Sequence, residues 1–210
     1  MKKFELTSEF VLNVSGGKLF QIKALIQFSN INAGELGGYI EKEENLNQGG
    51  NAWVYDTARI SGDARVSGDA WVYGNAWVLG DARVSGDARV FGDARVSDDA
   101  WVYGNALVYG DARVSVNARV SGNALVKKST HLFQLGALGS RNGFTTFFRV
   151  KTNKIHVVCG CFLGSIEDFE KAVAITHAGT KHEKTYLLAI ELAKLQIELD
   201  EIEGEEPTEG

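Results

Sequence analysis

The side chains richest in chemistry fall late in the chain. Cys159-Gly160-Cys161 lies close in sequence to His156, with His177 and His182 further on. Thiols with imidazoles are the ligand types of a zinc or redox site. The spacing matches no recognised zinc pattern, and two cysteines two apart in one strand are too close for an ordinary disulfide. Strand alternation puts Ile155, Val157, Cys159, Cys161 and Leu163 on one face. Such apolar company marks a buried face, so the pair reads as core cysteines. A second cluster is the turn Gly139-Ser140-Arg141-Asn142-Gly143, followed by Thr145, Thr146 and Arg149. Successive free N–H groups beside a guanidinium are the ingredients of an anion nest; the plain alternative is a chain reversal and nothing more. Ser140, Arg141, Asn142 and Arg149 are the candidate anion-binding residues. No catalytic or metal-ligating residue is assigned, and no cofactor is expected.

Both clusters must be held by what precedes them, and that is a repeat. Residues 51–128 divide into thirteen hexads, from Asn51-Ala-Trp-Val-Tyr-Asp56 to Asn123-Ala-Leu-Val-Lys-Lys128, without insertion or deletion. Within a hexad, Ala and Val stand two apart and share one face of an extended strand, while Arg/Trp and Ser/Tyr take the other. The Gly-Asp or Gly-Asn junction supplies the turn. A unit this short cannot pair with itself, but it fits one side of a triangular coil with three hexads per turn. The predicted fold class is mainly β, a parallel β-helix over 51–128. An N-terminal β cap and first coil occupy 1–50. A C-terminal α+β domain, a β-hairpin plus two helices, occupies 129–202, and a disordered acidic tail 203–210.

In such a coil, residues 18 apart stack on one side. Face one carries Trp53, Trp71, Arg89, Leu107 and Leu125, with Tyr55, Tyr73, Phe91, Tyr109 and Lys127 two residues on. Face two carries Arg59, Trp77, Arg95 and Arg113, and face three Arg65, Arg83, Trp101 and Arg119. An apolar, aromatic stripe marks a contact surface. Trp53, Tyr55, Trp71, Tyr73, Arg89, Phe91, Leu107 and Tyr109 are therefore the candidate partner or oligomer interface. Two kinds of cover are expected: self-burial, by the chain's own C-terminal helices or a sister subunit in a trimer, or a foreign partner. On the other faces, Arg is expected to pair with Asp between coils.

The flanks read as caps. Residues 18–25 alternate as a strand, paired through Ser15-Gly16-Gly17 with 10–14. Gly37-Gly38-Tyr39-Ile40-Glu41 begins an irregular first coil, shielding an end that would otherwise template association. Residues 132–138 echo 19–25, while 144–150 and 155–163 are strands about a tight turn. Ser165 caps a helix from Ile166 to about His177, Gly179 ends it, and Thr180 with Glu183 forms a capping box for a second. On that second helix Leu188, Leu192, Leu195 and Leu199 recur at helical spacing and are expected to form its buried stripe.

Charge and composition narrow the function. In the hexads nine Asp balance seven Arg and two Lys; from Glu198 onward seven acids and no base account for the net charge of −5. That leaves no basic footprint for nucleic acid. With no apolar run of spanning length and no signal-peptide pattern, a cytoplasmic, soluble protein is expected and no membrane partner. The hexads contain no His and extrude no loop, whereas acid–base chemistry at neutral pH favours His or a strongly perturbed carboxylate.

Three segments taken together carry a family resemblance. They are Gly37-Gly38-Tyr39-Ile40-Glu41 leading to Asn45-Leu46, the Asn/Asp-Ala-Arg/Trp-Val hexads, and Gly139-Ser140-Arg141 with Thr145-Thr146-Phe147-Phe148 and Gly160-Cys161-Phe162. The chain resembles phage- and prophage-borne hexapeptide β-solenoid proteins of the YdcK-like repeat type. The resemblance implies a left-handed coil, against the usual crossover rule, and brings no catalytic residues. It implies a non-enzymatic, phage-derived binding or scaffold protein in a bacterial host, assembled as a homo-oligomer with a trimer favoured. Phage provenance suggests by association a host-protein partner, for example an inhibited component of a bacterial defence system. The alternative is sequestration of a nucleotide-like anion near Arg141 or at a subunit boundary. A third reading is an acyltransferase-like enzyme, a class that places a catalytic His on or beside such a coil.

Overall fold

The computed structural model describes residues 1–200; the acidic tail expected over 203–210 lies outside the described residues. Strands β1 (Phe4–Leu12) and β2 (Lys18–Ala24) form an antiparallel hairpin, and β2 pairs antiparallel with β3 (Leu36–Ile40). β3 is also the first rung of the coil, since Tyr39 and Ile40 pair in parallel with Arg59 and Ile60. Only glycine fits this junction. A Cβ on Gly37 would lie 2.5 Å from the Val54 carbonyl oxygen, and one on Gly38 2.7 Å from that of Ala58. Side chains close the remaining open edge, as the sequence led us to expect of a cap. Lys3 Nζ donates to the carbonyls of Gly50 (3.3 Å) and Ala52 (2.9 Å), and Asn45 Nδ2 to those of Gly62 (2.9 Å) and Ala64 (2.8 Å). Buried backbone acceptors with no coil above them thereby find donors.

From Asn51 onward every hexad contributes its third and fourth residues as a strand, from β4 (Trp53–Val54) to β16 (Leu125–Val126), thirteen in all. Strands 18 residues apart pair in parallel, Trp53 on Trp71 and Arg89 on Leu107 for example. The three resulting sheets are the three expected faces, each with its expected members. The ladder runs from the N–H of one coil to the carbonyls of the next, as in Tyr55 N to Val72 O at 2.9 Å. Ala and Val (or Ile) of every hexad are fully buried and form one continuous core. The chain is thus mainly β, a parallel β-solenoid.

After the solenoid, β17 (Leu132–Leu138), β18 (Gly143–Arg149), β19 (Ile155–Cys159) and β20 (Phe162–Ser165) form an antiparallel sheet in chain order. Helices α1 (Ile166–His177) and α2 (Lys181–Gln196) pack on it. The expected hairpin is therefore a four-stranded sheet. Stretch 155–163 is two strands because Gly160, at φ +59°, reverses the chain and pairs Cys159 with Phe162. β17 does not pair with β2; each lies at its own end of the solenoid. β18 joins the two units, sending Phe148 into the solenoid core and Phe147 into the helical one. Ala124 bridges Val150, and Lys151 N donates to Asn123 O at 3.0 Å.

The helix caps fall where the sequence places them. Ser165 Oγ accepts from Asp168 N at 3.1 Å and Thr180 Oγ1 from Glu183 N at 3.4 Å. Glu183 reaches back one residue further than a capping box requires, to Gly179 N at 2.7 Å. The leucine stripe of α2 is a correction. Leu188, Leu192, Leu195 and Leu199 are exposed, and Tyr186, Ala189, Ile190, Ala193 and Ile197 are buried instead. Small Ala189 and Ala193 let the helix lie close, and Tyr186 meets Phe169 edge-on at 5.5 Å; the leucines point the opposite way. Among the described residues no helix is long and apolar enough to cross a membrane.

Candidate binding surfaces

Face one begins buried and then opens. Trp53 is fully buried beneath Phe28 (5.4 Å) and Phe4 (6.3 Å), and the Tyr55 hydroxyl donates to Asn30 Oδ1 at 3.4 Å. Below this rung the outward side chains cover one another. Tyr55 meets Trp71 edge-on at 5.5 Å, and the Arg89 guanidinium lies 4.9 Å over the Trp71 ring. Tyr73, Phe91 and Tyr109 stack face to face at 4.7 and 4.8 Å, tilted by only 3° and 8°. Those spacings equal the strand separation, so the coil itself sets the ring stack. Desolvation holds the Tyr55 and Tyr73 hydroxyls above the ordinary tyrosine range. The C-terminal helices lie on their own sheet, so the expectation that they bury this stripe is corrected. Among the described residues the N-terminal cap covers it over Trp53 and Tyr55.

The expected Asp–Arg ladders are absent among the described residues: none of the seven solenoid arginines has a carboxylate within ion-pair distance. Tryptophan takes five of the seven instead. Trp77 lies between Arg59 (5.2 Å) and Arg95 (5.3 Å), and Trp101 between Arg83 (5.0 Å) and Arg119 (5.1 Å). The reason is positional: Arg and Trp occupy the same strand site on successive coils, where stacking is direct, while Asp sits at the corner. Corner carboxylates accept from the neighbouring coil, as Asp69 Oδ1 does from Asn51 N (3.1 Å) and Nδ2 (2.9 Å).

Face three borders two hollows. The upper one, about 730 Å³, lies between Glu44 and Arg65. The lower one, about 940 Å³, is a cleft between Arg83, Trp101 and Arg119 on the solenoid and the overhanging C-terminal unit. Ser140 and Arg141 of the predicted nest line this cleft. Asn142 is exposed at φ +48°, its N–H turned back to Gly139 O at 3.3 Å. Arg149 is a correction: it sits at the far end of β18, buried, ion-paired to Asp200, with Nε donating to Asn153 Oδ1 at 3.1 Å. The nest turn is held from beneath by Tyr186. A Cβ on Gly139 would fall 1.9 Å from the Tyr186 hydroxyl oxygen, so glycine is required there.

Both cysteines border the cleft; Cys159 also packs against the helical core as expected, while the assignment of Cys161 to the core is corrected. Cys161 is exposed at the β19–β20 turn; Cys159 is half-buried, accepts from Thr145 Oγ1 at 3.2 Å and lies 3.7 Å from Tyr186 Oη. Burial first, and this contact second, push the Tyr186 hydroxyl up to about 12. His177 lines the same cleft, its ring 5.4 Å from Tyr186 and 5.9 Å from His182. His156 alternates with Val157 and Cys159 along β19 and turns the other way. The repeat period shows which side chains stack; it carries no signal for the face that a later domain overhangs.

A family model described as the YdcK beta solenoid repeat matches residues 58–74, 82–98, 88–104 and 100–116. A relative from Escherichia coli (strain K12), named "Uncharacterized acetyltransferase YdcK", is 38% identical over 68 residues, 29% of this chain. The match spans 21% of that relative's length, about a fifth. Fold and repeat agree: this is a β-solenoid repeat protein. The relative is bacterial, and neither match speaks for the phage origin that the resemblance implied.

Proposed function

We propose that the chain is a non-enzymatic binding protein, a rigid prism that associates with copies of itself through face one. The observation that supports this is the ladder Tyr73–Phe91–Tyr109, flanked by Trp71 and Leu107 and, among the described residues, covered by neither cap. Rings already stacked at the coil spacing lose little side-chain entropy on docking, and a closed ring of copies, a trimer first, hides the stripe in each. Light scattering on the full chain tests it. Wild type should run as a multiple of 22.8 kDa and Tyr73→Asp as single chains. A single-chain mass in both, with an unchanged melting temperature, would leave the stripe for a foreign protein. The defence-inhibitor reading belongs to that class.

A second reading, acyl transfer, draws on the relative's name and on His177 in the lower cleft. Acetyl-CoA turnover above background, lost in His177→Ala, would select it.

A further inference from the structure

We propose that the cleft between face three and the C-terminal sheet binds a nucleotide, the phosphates on its arginines and the ring against its aromatic wall. This site is separate from face one, so either proposal can fail alone. Three guanidinium groups border the cleft from two directions, Arg83 and Arg119 from the solenoid and Arg141 from the nest turn. Among the described residues none of the three is in an ion pair. Arg83 and Arg119 lie over the Trp101 ring from the two neighbouring coils, at 5.0 and 5.1 Å from its centre. Stacking immobilises the planar fork and leaves its N–H edge unused, and that edge matches phosphate oxygens two at a time. Their ordering cost is met before any ligand arrives.

The rest of the lining selects what accompanies the phosphate. Phe144 is 41% exposed and faces the cleft with Phe162, an apolar surface for a planar ring. Asp81 and Asp99 also line the solenoid wall; they repel an anion but accept from ribose hydroxyls or an exocyclic amine. Cation, aromatic wall and acceptor pair are the three parts a nucleotide needs. The volume, about 940 Å³, lies within the range of small-molecule sites, roughly 300–1,000 Å³.

The test is calorimetric titration of the full chain with ADP, adenosine and pyrophosphate. ADP should bind more tightly than either part. Arg119→Ala and Arg141→Ala should each weaken ADP at least tenfold, while Arg113→Ala on face two should leave it unchanged. ADP should also quench tryptophan fluorescence in wild type and not in Trp101→Phe. Circular dichroism confirms that each variant is folded. No heat with ADP at millimolar concentration, or ADP binding undiminished in the Arg119→Ala/Arg141→Ala double variant, would overturn the site. Pyrophosphate binding as tightly as ADP would overturn its ring-binding half.

Discussion

Lys3 shows how one side chain can serve as the end of a repeat. Its ammonium is buried against two carbonyls and lies 5.0 Å from the Phe28 ring centre, and desolvation lowers its pKa from 10.5 to about 8, the attraction of Asp69 acting the other way. Between those values the unfolded chain holds more protons than the folded one, so stability rises with pH across the window. We predict that wild type gains stability between pH 8 and 10 relative to Lys3→Met, read by urea unfolding at each pH. Parallel pH profiles for the two would show that Lys3 is not buried as described. At this scale the sequence was half legible. The inward Ala and Val follow from alternation alone, but the partner of each Arg does not. Opposite charge suggested Asp; same-site stacking on successive coils, at 5.0 to 5.3 Å on faces two and three, makes it Trp for Arg59, Arg83, Arg95 and Arg119.

Helix α2 teaches the same lesson one level up. Its start, marked by Thr180 and Glu183, is readable because capping is local chemistry. Its buried side is not, because that depends on the surface it meets. The leucines form the more hydrophobic stripe, yet a surface already filled by Phe147 of the sheet and Phe169 of α1 accepts Ala189, Ala193 and the ring of Tyr186. Leu195, 79% exposed, should tolerate Leu195→Glu with a change of within about 0.5 kcal/mol. Ala193→Glu, which buries an unpaired carboxylate, should cost about 3 kcal/mol or more. Denaturant midpoints of the two variants decide it, and the reverse order would mean that the helix packs by its leucines. The strand count failed for a related reason: Gly160 looked like one residue in a run, and only the pairing of Cys159 with Phe162 makes it a turn.

Seen whole, the molecule is a prism with one cap extending face two and another overhanging face three, so face one is left open over most of its height. The prism and the membership of its three faces were legible because an unbroken six-residue period fixes every strand pairing at once. The lower cleft was not, since it arises where the repeat meets a segment that does not share its period. Half of the predicted anion nest does reach that cleft, Ser140 and Arg141, while Arg149 is committed to Asp200 at the opposite end of its strand. The central claim is that face one meets a second copy, and photo-cross-linking tests it most directly. With p-benzoylphenylalanine in place of Tyr109, irradiation of the full chain should give a covalent species of twice 22.8 kDa; the same residue in place of Arg113 on face two should not. No such species from position 109, or equal yield from both positions, would contradict it.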